Sequence, residues 1–120
     1  MHKVQFLYLE ESDKDLIVSF AIDDADFGVK SLTLLRTLFF EEFLDEEKRG
    51  VMVSFEGDEV EQDHVNVLNR ISINGDEVEI TSTFRQYKLD LSKIDDSEKE
   101  EMVKLLHKQN HDNRFTIQIA

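Results

Sequence analysis

In VNVLNRISINGDEVEITST, residues 65–83, two alternating runs flank Asn74-Gly75-Asp76. An Asn-Gly pair between such runs predicts a tight hairpin, because both residues tolerate the positive φ of the turn. Beyond the turn, Val78 and Ile80 fall on one side of the chain, and Glu77, Glu79 and Thr81 on the other. That alternation specifies an antiparallel sheet with one wet face and one buried face.

The same period extends outward. Residues 51–55 place Val51, Val53 and Phe55 on one side, and residues 87–91 form another short strand. Residues 4–9 put Val4, Phe6 and Tyr8 on one side. Residues 16–22 put Leu16, Val18, Phe20 and Ile22 on one face, with Ile17 and Ala21 behind them, so this strand is partly buried on both faces. The charged residues between these two runs predict a hairpin. Residues 23–28, DDADFG, read as a loop, since Asp and Gly favour turns. Residues 31–38 fit helical or strand spacing; Thr33, Thr37 and the adjacent Phe39 and Phe40 favour a strand. Residues 41–49 are acidic, end at Gly50, and read as a short helix or an exposed loop.

Residues 97–109 predict the one clear helix. Ser97 with Glu100 has the spacing of a capping box. Met102, Leu105 and Leu106 supply an apolar stripe, helped by Val103. Acids crowd its first turn and Lys104 and Lys108 lie towards its end, matching the helix dipole. Residues 114–119 form a last strand, with Phe115, Ile117 and Ile119 on one face. Together these predict a single α+β domain over residues 1–120: a mostly antiparallel, curved sheet of six to eight strands with one C-terminal helix packed on one face.

Charge is distributed unevenly. The net charge is -13, and residues 41–63 hold ten carboxylates against only Lys48 and Arg49. Residues 64–94 balance to zero. Such a local field costs self-repulsion, so it either keeps the chain dissolved or faces a positive partner. It disfavours nucleic-acid phosphates and anionic lipid, which need a basic surface. No run approaches the ~18 apolar residues of a membrane span. The chain has no Cys, which excludes disulfides and thiolate chemistry and fits a reducing cytoplasm.

Other motifs favour ordinary readings. Asp23 to Gly28 lacks the ligand spacing of a calcium loop, because Ala25 and Phe27 fall where ligands belong. His107 and His111 lie four apart, but Asn110 ends the helix between them, and Asp63-His64 is isolated. No metal or other cofactor is expected. Carboxylate pairs arise by chance among 27 acids, and no nucleophile or phosphate-loop motif accompanies them, so the chain does not read as an enzyme. Phe39, Phe40, Phe43 and Leu44 form either core or an exposed partner patch. Core is the expected reading, because large apolar residues are usually buried.

The run Leu16-Ile17-Val18-Ser19-Phe20-Ala21, the acidic loop with Gly28, and Leu32-Thr33-Leu34-Leu35-Arg36 resemble the opening of a family of small bacterial immunity proteins, immunity protein family ten. An acidic segment, Gly50-Val51, a hairpin, a strand and a helix follow in the family's order. The resemblance implies a cytoplasmic protein that binds and neutralises a cognate toxin. An acidic inhibitor suits a basic toxin domain, which it would occlude by pairing carboxylates with Lys and Arg. The expected partner surface centres on Glu56, Asp58, Glu59 and Glu61, with Asp63, Glu46 and Glu47 beside them. The alternative is a structural or regulatory module that forms a dimer through an edge strand such as residues 114–119.

Overall fold

A computed structural model describes residues 1–26, 28–57 and 66–120, with the Glu47 side chain outside the description. The chain forms β1 (His2–Glu11), β2 (Asp15–Asp24), β3 (Gly28–Thr37), β4 (Met52–Phe55), β5 (Leu68–Asn74), β6 (Glu77–Ser82), β7 (Gln86–Asp90), α1 (Asp96–Gln109) and β8 (Thr116–Ile119). The eight strands make one mixed, mostly antiparallel sheet in the order β4-β3-β2-β1-β7-β6-β5-β8. Among the described residues the α+β expectation, its strand number and its single C-terminal helix therefore hold.

Two antiparallel meanders build the sheet. The first runs β1 to β4 and the second β5 to β7. A short parallel contact, His2↔Leu89 and Lys3↔Asp90, joins them. On the far side Met52 bridges Val67, and Val53 N–H donates to Asn66 O (2.8 Å). The sheet thus curls without closing, which gives its apolar residues a common interior. Val18, Phe20, Leu32, Leu34, Ile71, Ile80 and Leu89 are fully buried there. Helix α1 lies against β1 and β2 and contributes Met102, Leu105, Leu106 and Gln109 to the buried side. These four positions recur at helical spacing, so one stripe faces the sheet.

The expected hairpin forms, with a loop one residue shorter than the 74–76 stretch between the two runs. Asn74 pairs with Glu77, so Gly75 and Asp76 are the two loop residues. Gly75 has φ 60° and Asn74 does not share the left-handed region. One positive φ at the first loop residue is the type II′ pattern rather than the doubly positive one that Asn-Gly suggests.

Strand β1 departs from simple alternation. A bulge between Val4 and Phe6 shifts its register against β2. Val4 stays buried, Leu7 and Leu9 then pack on the core, and Phe6 and Tyr8 turn outward. One inserted residue reverses which face the later side chains take.

The helix begins earlier than its capping box suggested. Asp95, not Ser97, is the N-cap: its carboxylate accepts the Glu98 N–H (2.8 Å), and Ser97 Oγ donates to the same oxygen (3.0 Å). These bonds hold the Asp95 carboxyl below the usual range. At the other end Asn113 takes φ 57°, and Asn110 Oδ1 accepts the Phe115 N–H (3.1 Å). That turn sends the chain into β8, which lies parallel to β5. Among the described residues no helix is long and apolar enough to cross a membrane.

Candidate functional site

Between β3 and β4 the chain leaves the sheet for residues 38–51. This segment carries four of the exposed large apolar side chains: Leu38 at 37%, Phe39 at 55%, Phe40 at 58% and Phe43 at 76%. The expectation that this cluster is core is overturned. The physical reason is that β3 ends at Thr37 and the buried Arg36 and Gln109 side chains already fill the interior there. The aromatic run begins two residues past the last paired position, Thr37, and turns out to solvent.

The segment is held firmly. Leu38 N–H donates to Lys14 O (2.7 Å), tying it to the β1–β2 turn. Short 3₁₀ turns at Glu41–Phe43 and Glu46–Lys48 then fold it on itself. Phe39 and Phe40 meet edge to face with centroids 4.7 Å apart, and the Lys14 ammonium lies 5.8 Å from the Phe39 ring centroid. An edge-to-face pair complements the ring quadrupoles.

Three arginines fasten this ledge from below. Arg36 is wholly buried, although it belongs to a strand. Its Nε and Nη2 donate to the Glu41 carboxylate, the former at 2.9 Å. Nη1 donates to Gln109 O (2.8 Å) and Asp112 Oδ1 (2.7 Å), and Nη2 also to Asp112 Oδ2 (2.8 Å). All five guanidinium hydrogens are thereby used. Arg49 Nε donates to Leu44 O (3.0 Å) and its Nη2 to Glu42 O (3.2 Å). Arg114 Nη1 donates to Glu46 O (3.0 Å) and its Nε to Asp112 Oδ2 (2.7 Å). The ledge is therefore coupled to β3 and to the end of α1.

Electrostatics follow from that cluster. Burial works against the Arg36 charge, but hydrogen bonds to Asp112 and Glu41 outweigh it and hold the group above its ordinary range. The Arg36 bonds hold the Asp112 carboxyl well below the usual carboxylate range, against a smaller opposing effect of burial. Gln109, also fully buried, donates through Nε2 to Leu16 O (2.9 Å) and Leu34 O (3.0 Å). It links the ends of β2 and β3 beneath Arg36.

The expected acidic residues divide between places. Glu46 sits on the ledge and is exposed, with its carboxylate 3.7 Å from Arg114 Nη2. Glu42 and Asp45 are exposed beside it. Glu56 lies elsewhere: its N–H donates to Ser31 O (3.1 Å) and its carboxylate accepts the Ser31 N–H (3.1 Å). Ser31 is five residues along β3 from Arg36, about 17 Å at the ~3.4 Å rise of a strand. Asp58, Glu59, Glu61 and Asp63 lie outside the described residues, as does the Glu47 side chain. His107 is in the last turn of α1 and His111 beyond it, both exposed. Among the described residues no group of three or more His, Cys, Asp or Glu side chains could hold a metal ion.

Arg36 is the site residue that the sequence reading passed over. Its signal was present, since it follows Leu32 and Leu34 at the inward-facing positions of β3. A charge at an inward strand position implies buried partners. No protein-family model, curated protein or solved structure matches the chain.

Proposed function

We propose that this chain is a non-enzymatic binding protein that occludes a basic partner, in the manner of a cytoplasmic immunity protein facing its toxin. One observation carries the reading: Phe39, Phe40 and Phe43 stand exposed on a segment that partly buried hydrogen bonds from Arg36 and Arg49 hold in place. Interface hot spots are built this way, from aromatic anchors on ordered backbone with charge at the rim. Here Glu42, Asp45 and Glu46 supply that rim. The phenylalanines enter an apolar cleft of the partner, and the carboxylates meet its Lys and Arg side chains. The net charge of -13 steers a positive partner to the surface before contact. The likeness of residues 16–36 to the immunity family adds the class of partner, a toxin domain.

On this proposal a gene adjacent to this one encodes the toxin. Expressed in a sensitive bacterium it should stop growth, and this chain, co-expressed, should restore it. With purified components, association should slow as salt rises. E42Q/D45N/E46Q should reduce the low-salt association rate roughly tenfold. Arrested growth despite abundant, folded chain would contradict the proposal.

A further inference from the structure

Strand β8 ends the sheet, and no strand lies on its outer side among the described residues. The opposite end is different, because β4 is bonded back to the chain ahead of β5 through Val53 N–H to Asn66 O and Leu68 N–H to Val51 O, both 2.8 Å. Strand β8 reads Thr116-Ile117-Gln118-Ile119. It carries no Lys, Pro, bulge or inward charge, the devices that keep edge strands apart.

Its backbone and both its faces suit pairing. Ala120 N–H donates to Ile73 O (2.9 Å) on the β5 side. Alternation then points the N–H and C=O of Ile117 and Ile119 to the free edge. On one face Ile119, 54% exposed, lines a groove of about 520 Å³ with Ile73 and Val103. The charges around that groove cancel, Asp96 and Glu100 against Lys99 and Lys104. On the other face Glu77 and Glu79 are offset by Arg70 and Lys88. In a chain of net charge -13 this edge is locally neutral.

We infer that a second copy of this chain occupies the edge, with β8 pairing antiparallel to the partner's β8 about a two-fold axis at Gln118. In that register Ile117 of one copy lies opposite Ile119 of the other and exchanges backbone hydrogen bonds with it. The two Gln118 side chains meet across the axis on the far face. The isoleucines extend the apolar groove over α1. Charge selects the occupant: two acidic copies repel through most of their surfaces but not here, and a basic protein gains no attraction from a neutral edge. The acid-rimmed phenylalanines present the opposite case, so the two surfaces are independent.

Sedimentation velocity of the whole chain tests this. A short edge gives a small interface, so dimer should grow over roughly 10–500 µM. Gln118 is exposed, and its replacement leaves the fold intact. Q118K and Q118E should each weaken the dimer at least ~10-fold, by placing like charges face to face. An equimolar mixture of the two should restore association to the wild-type level or better. A wild-type chain that stays monomeric at the highest concentration would overturn the inference. So would a Q118K chain that dimerises like wild type, or a mixture that does not recover.

Discussion

Replacing Arg36 with Met should lower stability by about 3–5 kcal/mol, a large share of what a domain of this size possesses. The guanidinium is wholly buried and spends every hydrogen on Glu41, Asp112 and the Gln109 carbonyl. Its removal leaves two carboxylates facing each other, Glu41 with only 15% of its side chain exposed, and a buried carbonyl without its donor. Urea denaturation measures the loss directly. A midpoint close to wild type would mean the cluster is dispensable. The same cluster sets an acid limit. The Asp112 carboxyl titrates lower in the native chain than in the unfolded one. Its contribution is therefore complete above the ordinary carboxylate pKa of about 4 and is lost as pH falls further, because the unfolded chain then binds the proton first. Asp112→Asn should flatten that part of the stability–pH curve.

The second large effect is on binding. F39S/F40S/F43S should weaken the complex with the proposed basic partner at least ~100-fold, since buried aromatic anchors each contribute on the order of 2 kcal/mol. Folding stability should be unchanged or slightly higher, because these rings are 55%, 58% and 76% exposed in the free chain. The combination separates the ledge from the core. Lost binding together with lost stability would instead assign the rings a structural role. Unchanged affinity would move the partner surface elsewhere. Arg36→Met should weaken binding too, by loosening the segment that presents the rings, but with a stability loss that the phenylalanine variant lacks.

The sheet was legible in the sequence because alternation reports burial directly. Val78 and Ile80, or Leu16 to Ile22, needed only a period of two to be placed. What was not legible depended on single-residue geometry or on distant partners. The bulge between Val4 and Phe6 reverses a face without altering composition. Asp95 and Ser97 are both good caps, and only the backbone path decides between them. The hairpin loop falls within the expected Asn74-Gly75-Asp76, but Asn74 pairs with Glu77 and leaves Gly75-Asp76 as the loop, a one-residue difference set by backbone conformation. Phe39, Phe40 and Phe43 misled because apolar residues are interior on average, whereas buried Arg36 and Gln109 fill the interior at the end of β3. Arg36 was readable as an inward charge, but its partners Glu41 and Asp112 come from both sides of the chain and meet only in the fold. The acidic window looked continuous along the chain, yet β3 separates Glu56 from Glu46.

The central claim is that the exposed aromatic ledge and its acidic rim are where the partner sits. Hydrogen–deuterium exchange of the chain, free and saturated with the proposed partner, tests it most directly. Amides of residues 38–49 should gain protection on binding, while those of β5, β6 and β7 on the far half of the sheet should exchange as before. Protection confined to the β5–β7 half, with residues 38–49 unchanged, would contradict the account.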